Sequence, residues 1–140
     1  GLGALLTRGL NLFAGLAAKS TTIKPLSRET IAGYLLPYNS WKNRIGIHSF
    51  IKEIPLAENS PSYKLFQEIE NAAAQKLADK PMLIQWGMRD WCFTPLFLKL
   101  WRRRFPKAAV NELQAGHYLL EDAGPEAAAR LKSFLEEPIP

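Results

Sequence analysis

The segment that most limits what this chain can fold into lies between residues 82 and 135. Met82-Leu83-Ile84-Gln85-Trp86 is a short apolar run ended by Gly87, and a run of this kind reads as a parallel strand covered on both faces. Ala108-Ala109-Val110-Asn111-Glu112-Leu113 reads as a second short strand, broken by Gly116. Between them, Pro95 to Arg104 reads as a helix stopped by Phe105-Pro106, because the residue before a proline is driven out of helical conformation. A last helix over Pro125 to Leu135 offers Ala127, Ala128, Leu131, Phe134 and Leu135 for packing. The order strand, helix, strand, helix spells a right-handed βαβ unit, so the fold class is α/β. Two parallel strands do not make a finished sheet, since an isolated pair leaves an open hydrogen-bonding edge. The outer edge of the Met82–Trp86 strand is therefore expected to pair with an N-terminal segment of the same protein or with a partner chain.

Upstream, residues 1–58 contain no strand pattern. Pro25, Pro37 and Pro55 divide them into short helices joined by tight loops, and Ala57 to Tyr63 reads as a turn. From Ser62 to Ala78 the positions Leu65, Phe66, Ile69, Ala73 and Leu77 fall on one helical face. Residues 1–18 are apolar, but Arg8 and Asn11 interrupt them well short of the ~20 residues a membrane span needs, and an amphipathic helix is expected there. The chain starts at Gly in the middle of helical pattern, so an N-terminal part is expected to have been removed, to be disordered, or to lie on another chain.

Composition narrows the function classes. With 47% hydrophobic and 22% charged residues the chain is globular, not disordered. The single cysteine, Cys92, closes no internal disulfide, and a reducing compartment such as the cytoplasm is expected. The net charge of +5 has only one dense basic run, Arg102-Arg103-Arg104, without the basic stripe and interleaved aromatics of a nucleic-acid module. A solvated helix end is the expected role of that run. No His/Cys/Asp cluster has metal-ligand spacing, and Gly1, Gly3, Gly9 and Gly15 follow no strand, so neither a metal nor a phosphate-cradling loop is expected.

Chemistry concentrates at Asp90, just beyond the first strand, and His117, just beyond the second. In open α/β sheets, catalytic groups gather at the carboxyl ends of strands, and adjacent strands place these loops side by side. A carboxylate that accepts the Nδ1–H of a histidine fixes its tautomer and stabilises the imidazolium formed during proton transfer. Asp90 capping the next helix, with His117 purely structural, is the other reading of the same spacing. His48 reads as a histidine of the helical region rather than a second base.

These residues also carry a resemblance. Pro81 to Asp90, then Trp101 and Phe105-Pro106, then Ala115-Gly-His-Tyr-Leu-Leu-Glu-Asp122 and Pro125-Glu126 resemble the C-terminal third of an α/β-hydrolase. The match is nearest to the haloalkane dehalogenase and epoxide hydrolase branch, and within it to the dehalogenase-like hydrolases of olefin biosynthesis that cleave β-lactones. Tyr34, Pro37-Tyr38, Arg44, Phe50 and Glu53-Ile-Pro55 are similar to the end of the helical cap in haloalkane dehalogenases. The resemblance implies a cap portion over 1–58 and the end of the hydrolase core over 59–140. It makes Asp90 the triad acid after the seventh strand and His117 the base after the eighth. Trp91, Phe93 and Tyr118 would line a pocket for a small apolar substrate, with hydrophobic core as their other reading. Tyr34 and Tyr38 resemble the cap tyrosines that polarise an epoxide oxygen, yet stand only four residues apart around a proline, which suits cap packing.

The family's nucleophile, usually an Asp on a strained strand-to-helix elbow, has no counterpart in the 140 residues. The resemblance therefore implies one portion of a hydrolase that acts on a halide, epoxide or β-lactone through a covalent ester, inactive as this chain alone. No cofactor is implied. A serine esterase differs from this only in the elbow residue. A non-catalytic interaction fragment is the remaining alternative, and an Asp90–His117 separation too long for a hydrogen bond would favour it.

Overall fold

A computed structural model describes residues 2–60 and 62–137. Gly1, with which the expected N-terminal helix begins, and Pro61 of the expected turn lie outside the described residues. The chain divides into two compact units, Gly1–Ser20 with Leu26–Ala72, and Thr21–Pro25 with Ala73–Pro140.

The first unit is helical. It contains α1 (Leu2–Ala4), a π-helical segment (Leu5–Gly9), α2 (Leu12–Ser20), α3 (Arg28–Leu35), a 3-10 turn (Leu36–Tyr38), α4 (Ile45–Glu53) and most of α5 (Tyr63–Lys76). The single amphipathic helix expected over 1–18 is not formed. Asn11 adopts φ 52°, a left-handed conformation that asparagine tolerates better than most residues, and breaks the run before α2. Ser27 starts α3 by accepting the Thr30 N–H at 3.0 Å. Arg44 then ties separate segments together: its Nε donates to the Tyr38 carbonyl at 2.7 Å, and Nη1 donates to the carbonyls of Arg8 at 2.6 Å and Gly9 at 3.0 Å. The Arg8 guanidinium lies 4.4 Å from the centre of the Trp41 ring and its Nε donates to the Trp41 carbonyl.

The second unit holds the strands. β1 (Leu83–Gly87) pairs in parallel with β2 (Ala109–Leu113), in a register that runs from Leu83 opposite Ala109 to Gly87 opposite Leu113. α6 (Pro95–Arg104) makes the crossover and α7 (Leu119–Glu136) follows β2. On one face, the register partners Gln85 and Asn111 share an amide hydrogen bond of 2.9 Å, and Gln85 Nε2 donates to the Ala127 carbonyl of α7. Both side-chain amides are half-buried, and each has a hydrogen-bond partner. Leu113, Ala115 and Ala127 are fully buried beneath α7, and Leu98 buries α6.

The elements expected at 82–86, 95–104 and 108–113 appear at these places to within a residue. The last helix begins earlier than expected. Its first turn starts at Leu119, and a break at Ala123 (φ −139°) lets Pro125 enter the continuing helix without clashing with a preceding helical turn. The apolar face of α5 forms as expected, but Leu65, Phe66 and Ile69 remain exposed.

Candidate active site

Both strands end in glycine-controlled turns, and these set the geometry. A Cβ on Gly87 would collide with the Gly116 and Ala115 carbonyl oxygens, and one on Gly116 would stand 2.5 Å from the Thr21 oxygen. Without side chains there, the chain beyond β1 lies directly against the chain beyond β2. Backbone pairing continues past the strands, with Met88 N–H donating to the Leu113 carbonyl at 2.8 Å and Arg89 N–H to the Ala115 carbonyl at 3.0 Å. The loop carrying Asp90 is thereby fixed against the loop carrying His117.

Asp90 is buried, with 8% of its surface exposed. Its two carboxylate oxygens have separate tasks. Oδ1 accepts the backbone N–H groups of Cys92 at 2.7 Å and Phe93 at 2.9 Å, which closes the loop around the side chain. Oδ2 meets Nδ1 of His117 at 2.9 Å. An ionised carboxylate only accepts, so the proton of the neutral imidazole sits on Nδ1 and Nε2 is the basic nitrogen. His117 keeps 29% of its side chain exposed, so this arrangement can take a proton from a group outside the protein's own network.

The surrounding aromatics are placed by the same loops. The Phe93 ring lies 5.3 Å from that of His117, and Phe97 meets Phe93 edge-on at 5.7 Å. Trp86 donates its indole N–H to the Phe93 carbonyl at 2.9 Å, so a strand residue pins the loop that follows Asp90. The Tyr118 ring is 6.1 Å from the imidazole on another side. Trp91 shares the Asp90 loop but is largely exposed. Tyr34, on α3, and Tyr38, in the 3-10 turn, belong to the other compact unit, where the Tyr38 carbonyl accepts from both Arg44 and Asn11. His48, also in that unit, pairs through Nδ1 with the Thr7 hydroxyl at 3.0 Å.

Sequence reasoning singled out Asp90 and His117 but not Gly87 and Trp86, which fix the loop that carries Asp90. Glycine directly after an apolar run was the signal for Gly87, and nothing local marks Trp86. Among the described residues no group of three or more His, Cys, Asp or Glu side chains is gathered as a metal site, and no helix is long and apolar enough to cross a membrane.

Comparison with known proteins bears on the fold that carries this geometry. The fold superposes on a haloalkane dehalogenase from Bradyrhizobium elkani with a TM-score of 0.81 and 23% identity, covering 97% of this chain and 48% of that one. A mutant haloalkane dehalogenase from Agrobacterium tumefaciens gives a TM-score of 0.83 at 20% identity, over 98% of this chain and 47% of that one. The architecture is therefore that of the C-terminal portion of an α/β-hydrolase fold. In sequence, the chain is 39% identical over 138 residues to a cis-3-alkyl-4-alkyloxetan-2-one decarboxylase of Shewanella oneidensis, covering 97% of this chain and 43% of the relative. It is 34% identical over 136 residues to a protein of the same description from Xanthomonas campestris, of which it covers 45%. A haloalkane dehalogenase of Mycobacterium marinum is 27% identical over 127 residues and 41% covered. In sequence the chain is thus similar to part of these decarboxylases and of a haloalkane dehalogenase, and it spans less than half the length of the curated relatives it matches. No protein-family model matches it.

Proposed function

We propose that this chain supplies the acid and the base of a hydrolase that works through a covalent ester, with the nucleophilic carboxylate on the part of the fold these residues do not contain. The observation that carries the proposal is the 2.9 Å bond between His117 Nδ1 and an Asp90 carboxylate whose other oxygen is locked by two backbone N–H groups. That bond speaks against a non-catalytic interaction fragment, for which a long separation was the expectation.

In this reading the attacking carboxylate needs no base, being already ionised at neutral pH. It displaces the leaving group from the substrate carbon and forms an alkyl ester. Nε2 of His117 then takes a proton from water as that water attacks the ester carbonyl, and Asp90 stabilises the imidazolium. The acyl–oxygen bond breaks, the imidazolium returns its proton to the leaving alkyl oxygen, and the nucleophilic carboxyl group is freed with its second water-derived proton lost to solvent. Phe93, Trp91 and Tyr118 shape an apolar wall for the substrate. Residues 1–58 belong to the helical cap and 59–140 to the core, with Tyr34 and Tyr38 as cap residues. The β1 edge pairs with the upstream part of the fold or with a partner chain carrying it. The substrate class is a halide, epoxide or β-lactone, and the two relatives above 30% identity favour a β-lactone with two alkyl chains. The cytoplasm is the proposed compartment, and no cofactor takes part.

The test is His117→Ala in the enzyme assembled with the remainder of its fold, exposed to a long-chain haloalkane or a dialkyl β-lactone and analysed by intact-mass spectrometry. Alkylation without hydrolysis is expected, so an ester accumulates on an Asp outside these 140 residues. A serine nucleophile needs the histidine in the first step and leaves no adduct, which would replace this reading with the serine esterase. Full turnover would remove His117 from the mechanism.

A further inference from the structure

His117 lies on neither a strand nor a helix: it follows β2 by four residues and precedes α7 by two. Its one side-chain hydrogen bond, to Asp90, orients the ring but does not hold the backbone that carries it. Both flanking N–H groups have partners elsewhere. Gly116 N–H donates to Asp122 Oδ2 at 2.8 Å, and Tyr118 N–H donates to the Thr21 carbonyl at 3.0 Å. The second partner is itself held by the first, because Ile23 N–H donates to both Asp122 oxygens, at 2.9 and 3.0 Å, and Lys24 N–H reaches Oδ1 at 3.5 Å. Ile23 and Asp122 are 99 positions apart in the chain. One carboxylate therefore closes a strap, Thr21–Pro25, across the histidine loop. The strap belongs to the same compact unit as the strands and α7, although residues on either side of it in sequence belong to the other.

Three features suit Asp122 to this task. It sits in the first turn of α7, where negative charge is favoured by the helix dipole. Backbone hydrogen bonds to a carboxylate are roughly twice as strong as those to a neutral acceptor. Gly116 also lacks a side chain at the point where the strap passes, so the Thr21 carbonyl comes close enough to receive the Tyr118 N–H. Asp122 touches neither the imidazole nor Asp90, and the reaction proposed above does not use it.

We propose that Asp122 is a positioning residue that fixes His117 in line with Asp90 by clamping the 21–25 strap over its loop. This inference rests on the proposed role of His117. A displacement of about 1 Å at a reacting group costs up to about 100-fold in rate, so loss of the clamp slows the step that uses the histidine and leaves the other step alone.

The experiment compares Asp122→Ala, Asp122→Asn and His117→Ala in the assembled enzyme by rapid-quench mass spectrometry with a long-chain haloalkane, alongside thermal unfolding. Expected are an unchanged rate of ester formation in Asp122→Ala and ester hydrolysis slowed roughly 10- to 100-fold, with KM little altered. Asp122→Asn keeps one acceptor oxygen and is expected between wild type and Asp122→Ala, and it decides the question by the same two rates if Asp122→Ala does not fold. Wild-type hydrolysis in a folded Asp122 variant, beside accumulating ester in His117→Ala, overturns the positioning role alone. Both steps slowed equally would also overturn it, since that is the mark of general damage to the fold. Absence of ester in His117→Ala overturns the reading of the site and this inference with it.

Discussion

The two compact units spend their apolar residues differently. In the second, Ile84, Leu98, Phe105, Leu113, Ala115 and Ala127 are buried around the strands. Among the described residues of the first, the buried apolar side chains are Ala18 and Ile47, while Leu16, Leu36, Phe50 and Leu56 stand largely exposed. The first unit is held instead by side-chain hydrogen bonds to backbone carbonyls, chiefly from Arg44, Arg8 and Asn11. Apolar surface of that extent belongs against another surface. The chain's match to only 43–45% of its two nearer relatives' length leaves ample fold to supply one. The Asp90–His117 pair thus rests on the part of the chain that packs on itself, whereas the helical unit leaves much of its apolar surface exposed.

If that contrast is right, substitutions should separate the units by size of effect. The largest is expected at Leu113, 0% exposed beneath α7, where Leu113→Ala leaves a cavity and lowers unfolding free energy by about 2–5 kcal/mol in denaturant titration. Next comes Gly87→Ala, whose new methyl group meets two backbone carbonyls that cannot swing aside. A loss of about 1–3 kcal/mol is expected, together with a longer Asp90–His117 distance in a crystal structure. Arg44→Ala is expected to cost about 1 kcal/mol, and hydrogen exchange should place the loss locally, around residues 8–10 and 38, with the strands unaffected. The smallest effect belongs to Leu16→Ala, within about 0.5 kcal/mol for this chain by itself. It should grow when the remainder of the fold is present, and a large effect in the isolated chain would dissolve the contrast.

How much of this could be read beforehand follows the same division. β1, α6 and β2 were legible because local signals bound them: the apolar run ended by Gly87, Pro95 at the first position of α6, Phe105-Pro106 behind it, and Gly116 beyond β2. Asp90 and His117 were legible because parallel strands put their carboxyl ends side by side. Asn11 was not, since nothing around it announces a left-handed turn inside an apolar run. The first turn of α7 was hidden by Pro125, which reads as a helix start and is one only for the continuing part. Trp86 and Asp122 were illegible as supports because their partners are set by tertiary closure, seven residues away in one case and 99 in the other.

The central claim is that Asp90 presents His117 as a base at Nε2. Nitrogen-15 NMR of the His117 ring in the assembled enzyme tests it most directly, because protonated and bare imidazole nitrogens resonate far apart. The account predicts a neutral imidazole with its proton held on Nδ1 and a bare Nε2, a pattern lost in Asp90→Ala. A proton resident on Nε2, or a ring whose tautomers average alike with and without the Asp90 carboxylate, would contradict it.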